Sequence, residues 1–226
     1  MIHQIEQNTD EWFQLRMGKI TSSHFGNIMA NYGKAFGNPA LEYAMRVAIE
    51  SKTMVSIETF QNEWMERGIE LEEDARELYQ METFTDVLPG GFCEKDRFGS
   101  SSDGLVDEGM VEIKCPKYTT HFERLIKGGI DPKYQWQIRG QMWVYDRPWC
   151  DFVSYCPDFT QRKRLYVCRV ERDLVEEGRM VARLKEFVEQ VNAKNVIPLH
   201  TENAKAFENW SKNVTILGNV GDNFTL

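Results

Sequence analysis

The stretch Ser101-Ser102-Asp103-Gly104, followed by Glu112-Ile113-Lys114, constrains this chain more than any other feature. Asp107-Glu108-Gly109 is turn chemistry between the apolar runs Leu105-Val106 and Met110-Val111, so a hairpin is predicted there. Closing it pairs Val106 with Met110 and sets Asp103 opposite Glu112 and Ile113. Side chains alternate across a strand, so Glu112 and Lys114 share one face while Val111, Ile113 and Cys115 share the other. The apolar set enters a core, which leaves Asp103, Glu112 and Lys114 converging at one edge. Two carboxylates that close repel unless a cation sits between them, and hard oxygen ligands suit Mg²⁺. Lys114 beside that cation would hold or activate a water for attack on a phosphodiester, which is metal-dependent nuclease chemistry. The spacing alone fits a solvated hairpin with an incidental salt bridge equally well. The rest of the chain has to decide.

A chain of 226 residues with 42% hydrophobic residues can bury a full core, and it is expected to form a single domain over 1–226. The core is placed at about 10–195, with a tail over 196–226. No apolar run reaches the length of a membrane span, and Met1-Ile2-His3-Gln4 has no signal-peptide pattern. The cysteines (Cys93, Cys115, Cys150, Cys156 and Cys168) are odd in number and lack Cys-x-x-Cys spacing. That pattern argues against a disulfide scaffold or zinc ribbon and predicts a reducing cytoplasm.

The net charge of −8 is the main argument against a nucleic-acid partner. Its distribution matters more, because DNA responds to a local basic surface. From Met110 to Cys150, seven Lys/Arg face four acids, whereas from Glu58 to Glu77 eight acids face only Arg67 and Arg76. A basic stretch thus surrounds the hairpin and an acidic helix flanks it.

Along the chain, Asp10 to Met17 and Ser22 to Ala30 read as short helices capped by Thr9 and Thr21. Pro39 to Ser51 is a third helix. Phe60 to Met81 is a long one, with Trp64, Gly68, Leu71, Ala75 and Leu78 at helical spacing. Phe92 to Phe98 reads as one strand leading into the hairpin. Helices over Thr119 to Lys127 and Pro132 to Tyr145 follow, then strands over Cys150 to Tyr155 and Arg164 to Val170. Asp173 caps a last helix whose stripe is Leu174, Val181, Leu184, Phe187, Val188 and Val191. Helices on both sides of a central mixed sheet make an α/β domain. In the tail, Phe207, Trp210, Ile216, Leu217, Phe224 and Leu226 are apolar and are assigned to packing on a neighbouring subunit. His3, His24, His121 and His200 show no ligand spacing and are given no role.

Several blocks resemble the phage lambda exonuclease family, the YqaJ-type viral recombination exonucleases of the restriction-endonuclease-like group. Ser102-Asp103-Gly104 through Glu112-Ile113-Lys114-Cys115-Pro116 resembles the nuclease core of that family. The segment from Trp12 to Ser23 resembles its Arg-x-Gly-x-x-Thr-x-Ser motif, Gly68 to Arg76 its acidic helix, and Tyr134 to Val144 its glutamine helix. Glu171-Arg172-Asp173 matches the boundary before its last long helix, so the likeness spans roughly 10 to 190 in consistent order.

The resemblance implies a restriction-endonuclease-like core and a metal set of Glu72, Asp103, Glu112 and the Ile113 carbonyl, holding two Mg²⁺ ions for which Mn²⁺ would substitute. It implies that Gln137 helps position the attacking water beside Lys114. Arg16, Ser23 and Ser101 would gather round a terminal 5′-phosphate, with Ser102 the alternative to Ser101. The implied activity is 5′-to-3′ degradation of double-stranded DNA to mononucleotides, leaving a 3′ overhang for annealing. The implied partners are DNA ends, two further copies in a ring, and a phage single-strand annealing protein. An endonuclease of the same superfamily is the first rival reading, and a non-catalytic DNA-binding module the second.

Overall fold

The computed structural model describes residues 1–57, 63–194, 196–198 and 223–225. Strands β1 (Ile2–His3), β2 (Ile20–Thr21), β3 (Phe92–Lys95) and β4 (Phe98–Ser101) form one sheet in the order β1-β3-β4-β2. Strands β5 (Gly104–Val106), β6 (Gly109–Lys114), β7 (Trp149–Tyr155) and β8 (Leu165–Glu171) form a second sheet in that order. Each is mixed: β2 runs parallel to β4 and β6 parallel to β7, and the other pairs are antiparallel. The helices are α1 (Asp10–Arg16), α2 (Phe25–Met29), α3 (Asn38–Thr53), α4 (Glu63–Thr83), α5 (Tyr118–Lys127), α6 (Gln135–Tyr145) and α7 (Leu174–Lys194).

The expected α/β class holds, but in place of one central sheet the described residues form two four-stranded mixed sheets, besides a two-stranded pairing near the C-terminal end. The chain pivots between them at Ser102, whose hydroxyl donates to the carbonyls of Gly104 and Val111. Tyr145 holds the pivot: its hydroxyl accepts from the Ser102 amide and lies 3.0–3.2 Å from the carbonyls of Gly90, Gly91 and Ser100. The expected single strand over Phe92 to Phe98 is instead the β3–β4 hairpin, turned at Asp96 with a φ of 56°.

The hairpin register also differs by one residue. Val106 pairs with Gly109 rather than Met110, across a loop of Asp107 and Glu108, with Asp107 in the left-handed region. A side chain at Gly109 would strike the Trp149 ring at 2.2 Å, so glycine belongs in the strand where the turn was expected.

β6 is covered on both sides. Val111 and Ile113 pack with Ala75 and Tyr79 of α4, while Met110 packs with Ile138 and Met142 of α6. Parallel neighbours buried on both faces need this double cover. Glu112, expected to meet Asp103 and Lys114 at one edge, is only 1% exposed under this double cover. Leu71, Ala75 and Leu78 pack as expected along α4, and Trp64 lies outside the residues whose surroundings are described. On α7, Leu184, Phe187 and Val191 are buried with Met180, but Leu174 stands 70% exposed at its start. Asp173 caps α7 by accepting from the amides of Val175 and Glu176, and Thr9 caps α1. Thr21 caps nothing, its hydroxyl being turned toward Ser23, His24 and Tyr43. Of the tail, Val196–Pro198 pairs antiparallel with Asn223–Thr225, and Phe207, Trp210, Ile216 and Leu217 lie outside the described residues.

Candidate active site

Glu112 is the centre of the first cluster. Strand alternation turns it toward α6, where Gln137 and Gln141 sit one turn apart on the facing side. Gln137 Nε2 donates to Glu112 Oε1 and Gln141 Nε2 to Oε2, both at 2.5 Å. Lys114, two residues along the same face, ion-pairs with Glu112 Oε1. Its ammonium also lies 5.4 Å from the centre of the Tyr134 ring. Asp103, just before β5, reaches across the hairpin, and its Oδ2 accepts from the Ile113 amide at 2.7 Å. Ile113 itself pairs with Val153 of β7.

Glu72 comes from the other side, on α4. Arg76, one turn later, donates to Glu72 Oε1 at 2.7 Å and to the Asp103 carbonyl at 3.2 Å, which ties the acidic helix to the hairpin.

The electrostatics follow from this crowding. Burial first, and then the Asp103 charge, push Glu112 up to about 7 against the pull of Lys114 and Gln141. The same two causes lift Glu72 to about 7 against Arg76 and Lys114. Burial works to deprotonate Lys114, yet Glu112 and Asp103 together outweigh it and raise its pKa. Lys114 is thus an ammonium donor at neutral pH, suited to orienting a water rather than taking its proton.

Two carboxylates lifted by burial and by the charge of a third, Asp103, are the donor chemistry of a hard divalent cation. Their side chains have not closed on a common point: among the described residues no trio of His, Cys, Asp or Glu is gathered tightly enough to hold an ion. Arg76 and Lys114 lie on Glu72 and Glu112 instead.

A second cluster lies where α1 meets the first sheet. The Arg16 guanidinium lies over the Trp12 ring, 4.0 Å from its centre. The indole N–H of Trp12 donates to Ser101 Oγ at 2.8 Å, so one aromatic side chain holds both Arg16 and Ser101. Ser22 and Ser100 hydroxyls meet at 2.6 Å, which sets the Ser23 segment beside the Ser101 segment. Between the two candidate serines, Ser102 is 1% exposed and spends its hydroxyl on backbone, whereas Ser101 is only part-buried. Burial lowers Arg16 to about 10, so it keeps its charge at neutral pH.

The YqaJ-like viral recombinase domain matches residues 11–148, which carry both clusters. The chain belongs to that family. Among solved structures, the alkaline exonuclease LHK-Exo from Laribacter hongkongensis is 32% identical with a TM-score of 0.75, over 82% of this chain and 94% of that one. Its complex with dAMP gives 33% identity and a TM-score of 0.76 over the same shares. A phage-related exonuclease from Haemophilus somnus 129PT, 16% identical, covers 80% of this chain and 95% of that one at a TM-score of 0.62, and it shares the fold. Among curated proteins none matches the chain.

Within this YqaJ-like domain, sequence reasoning passed over Trp12, Gln141 and Arg76 as site residues. Gln141 had a signal, because it lies one turn from Gln137 on a helix. Arg76 had the same one relative to Glu72. Trp12 had none beyond its position one turn before Arg16.

Proposed function

We propose that the chain is a Mg²⁺-dependent exonuclease that degrades the 5′-phosphorylated strand of double-stranded DNA in the 5′-to-3′ direction. It would release mononucleotides and leave a 3′ overhang for recombination by annealing. The observation that carries this reading is the buried Glu112, held by Lys114, Gln137 and Gln141, beside Asp103 and within the field of Glu72. Family membership supports it, as do the alkaline exonuclease relative and its structure with a deoxynucleoside monophosphate.

Glu72, Asp103, Glu112 and the Ile113 carbonyl would hold the cations, with Mn²⁺ as a substitute for Mg²⁺. Bound there, the cations supply charge stabilisation to the phosphorus oxygens. Lys114, kept as an ammonium, donates to the water that attacks in line. Gln137 fixes the Glu112 carboxylate and with it the geometry of that water. Arg16, Ser23 and Ser101 hold the terminal phosphate, the guanidinium offering paired donors and the hydroxyls single ones.

Three copies closing head to tail around the duplex would keep DNA from escaping between cuts. The 3′ overhang would pass to a phage single-strand annealing protein. Among the described residues no helix is long and apolar enough to cross a membrane. The proposed place of action is the cytoplasm, on linear phage DNA.

Digestion of linear duplexes with and without 5′-phosphate, in Mg²⁺ or EDTA, tests the reading. Loss of turnover in EDTA and preference for the phosphorylated end are expected. Equal cleavage of a covalently closed plasmid would favour the endonuclease alternative.

A further inference from the structure

His24 and Arg46 belong to the wall of the second cluster, although no role has yet been given to either. His24 ends the short turn Ser22–His24, and its ring stacks on Tyr43 with centres 4.1 Å apart and planes 10° from parallel. Arg46, on α3, brings a guanidinium nitrogen to 3.1 Å from His24 Nε2. A guanidinium only donates, so Nε2 is the acceptor and the imidazole proton sits on Nδ1. That N–H faces Ser23 Oγ at 3.1 Å and Thr21 Oγ1 at 3.3 Å. The Ser23 oxygen therefore receives from His24, and its own hydrogen is not spent on the ring.

Arg46 is poorly matched within the protein. Its Nε is buried without a hydrogen-bond partner among the described residues, and the nearest carboxylate oxygen, on Glu50, is 3.8 Å away. Arg16 lies close enough that the Arg46 charge helps to lower it. Burial, Arg46 and Arg16 together push His24 down to about 3, so the imidazole stays neutral at neutral pH. Two arginines, a neutral donor-oriented histidine and the Ser23 hydroxyl form a wall whose nearby carboxylate, Glu50, stays 3.8 Å from Arg46 Nε.

We propose that Arg46 and His24 are a positioning relay that sets the preference for a terminal phosphate. Arg46 locks His24, His24 aims the Ser23 hydroxyl, and the Arg46 charge adds to that of Arg16 across the pocket. This rests on the reading of Arg16, Ser23 and Ser101 as a 5′-phosphate pocket.

The test measures kcat and KM separately for the full chain in Mg²⁺, on linear duplexes ending in 5′-phosphate or 5′-hydroxyl. Arg46→Met and His24→Phe should each lower the phosphate-to-hydroxyl ratio of kcat/KM by roughly tenfold, the scale of one hydrogen bond to a charged group. Arg46→Lys, which keeps the charge and a donor, should restore most of the ratio. If both ends slow equally and the ratio holds in Arg46→Met and His24→Phe, the relay is wrong and the two residues are structural.

Arg16→Met separates the two ideas. A lowered ratio there, with no change in the Arg46 and His24 variants, leaves the pocket standing and overturns the relay. No preference in the wild type overturns both. If Arg46→Met does not fold, His24→Phe, which keeps a ring against Tyr43, decides alone.

Discussion

Replacing Glu112 should separate its two duties, because the carboxylate is both the proposed cation ligand and the acceptor on which three donors converge. In Glu112→Ala the amides of Gln137 and Gln141 and the Lys114 ammonium lose their acceptor inside a site that is 1% exposed at Glu112. An orphaned buried donor costs about 1–3 kcal/mol, more when charged. Relief from burying the carboxylate charge offsets part of this. A net loss of about 3 kcal/mol is expected, a large share of the roughly 5–15 kcal/mol that stabilises a typical domain. Glu112→Gln keeps the shape and one acceptor oxygen but turns the other oxygen into a donor facing a donor, so about 1–2 kcal/mol is expected. Both variants should lose at least about two orders of magnitude in turnover. Urea unfolding of metal-free protein, followed by tryptophan fluorescence, gives the first quantity, and duplex digestion in Mg²⁺ the second. Wild-type stability in Glu112→Ala would refute the convergence of donors on this carboxylate. Near-normal turnover in Glu112→Gln would remove it from the cation set.

Lys114→Met should lower kcat by about two orders of magnitude while calorimetric Mg²⁺ affinity stays close to wild type, because its proposed contact is with the water. Trp12→Phe keeps an apolar ring but removes the donor to Ser101 and weakens the surface beneath Arg16. A roughly fivefold fall in preference for 5′-phosphorylated ends is expected, read from kcat/KM on the two ends. Glu72 and Glu112 sit at about 7 against an ordinary 4.5, so the folded protein keeps protons that the unfolded chain gives up between those values. Their contribution to metal-free stability is therefore full below about pH 4.5 and is lost as pH rises through 7, and added Mg²⁺ should release protons near pH 6 and bind more tightly toward pH 8. Calorimetry in buffers of different ionisation enthalpy counts those protons. Light scattering coupled to size exclusion should give three times the 26.4 kDa chain mass, and a single-chain mass at micromolar concentration would refute the ring.

The parts of this molecule that could be read ahead were those written in local spacing. Alternation along β6 told which side chains share a face, and the helical repeat located α4, α6 and α7 to within a few residues. The hairpin register was missed by one because Gly109 looks like a turn glycine, while its real constraint is the Trp149 ring from a distant strand. The β3–β4 turn was missed because Asp96 takes a left-handed conformation with no glycine or proline to announce it. The burial of Glu112 could not be read ahead, since nothing near it in sequence shows that α6 will cover it. Trp12 with Ser101, and His24 with Arg46, are polar contacts made 89 and 22 residues apart, and neither leaves a periodic signature.

The charge of the site resolves the conflict between an acidic chain and an anionic substrate. Each carboxylate of this cluster already has a partner from within the protein: Arg76 for Glu72, Lys114 for Glu112 and the Ile113 amide for Asp103. The cluster can therefore fold without a cation, and its negative charge stays local. A divalent cation held there would compete with Arg76 for Glu72, because both need the same oxygen lone pairs. Lys114 sits differently. It shares the strand face of Glu112 and leans on Tyr134, so it can stay beside the cluster when that carboxylate turns to another partner. Arg76 is thus held on α4 and Lys114 in β6. Under the proposed mechanism that asymmetry would leave Arg76 with the metal-free protein and Lys114 with the attacking water.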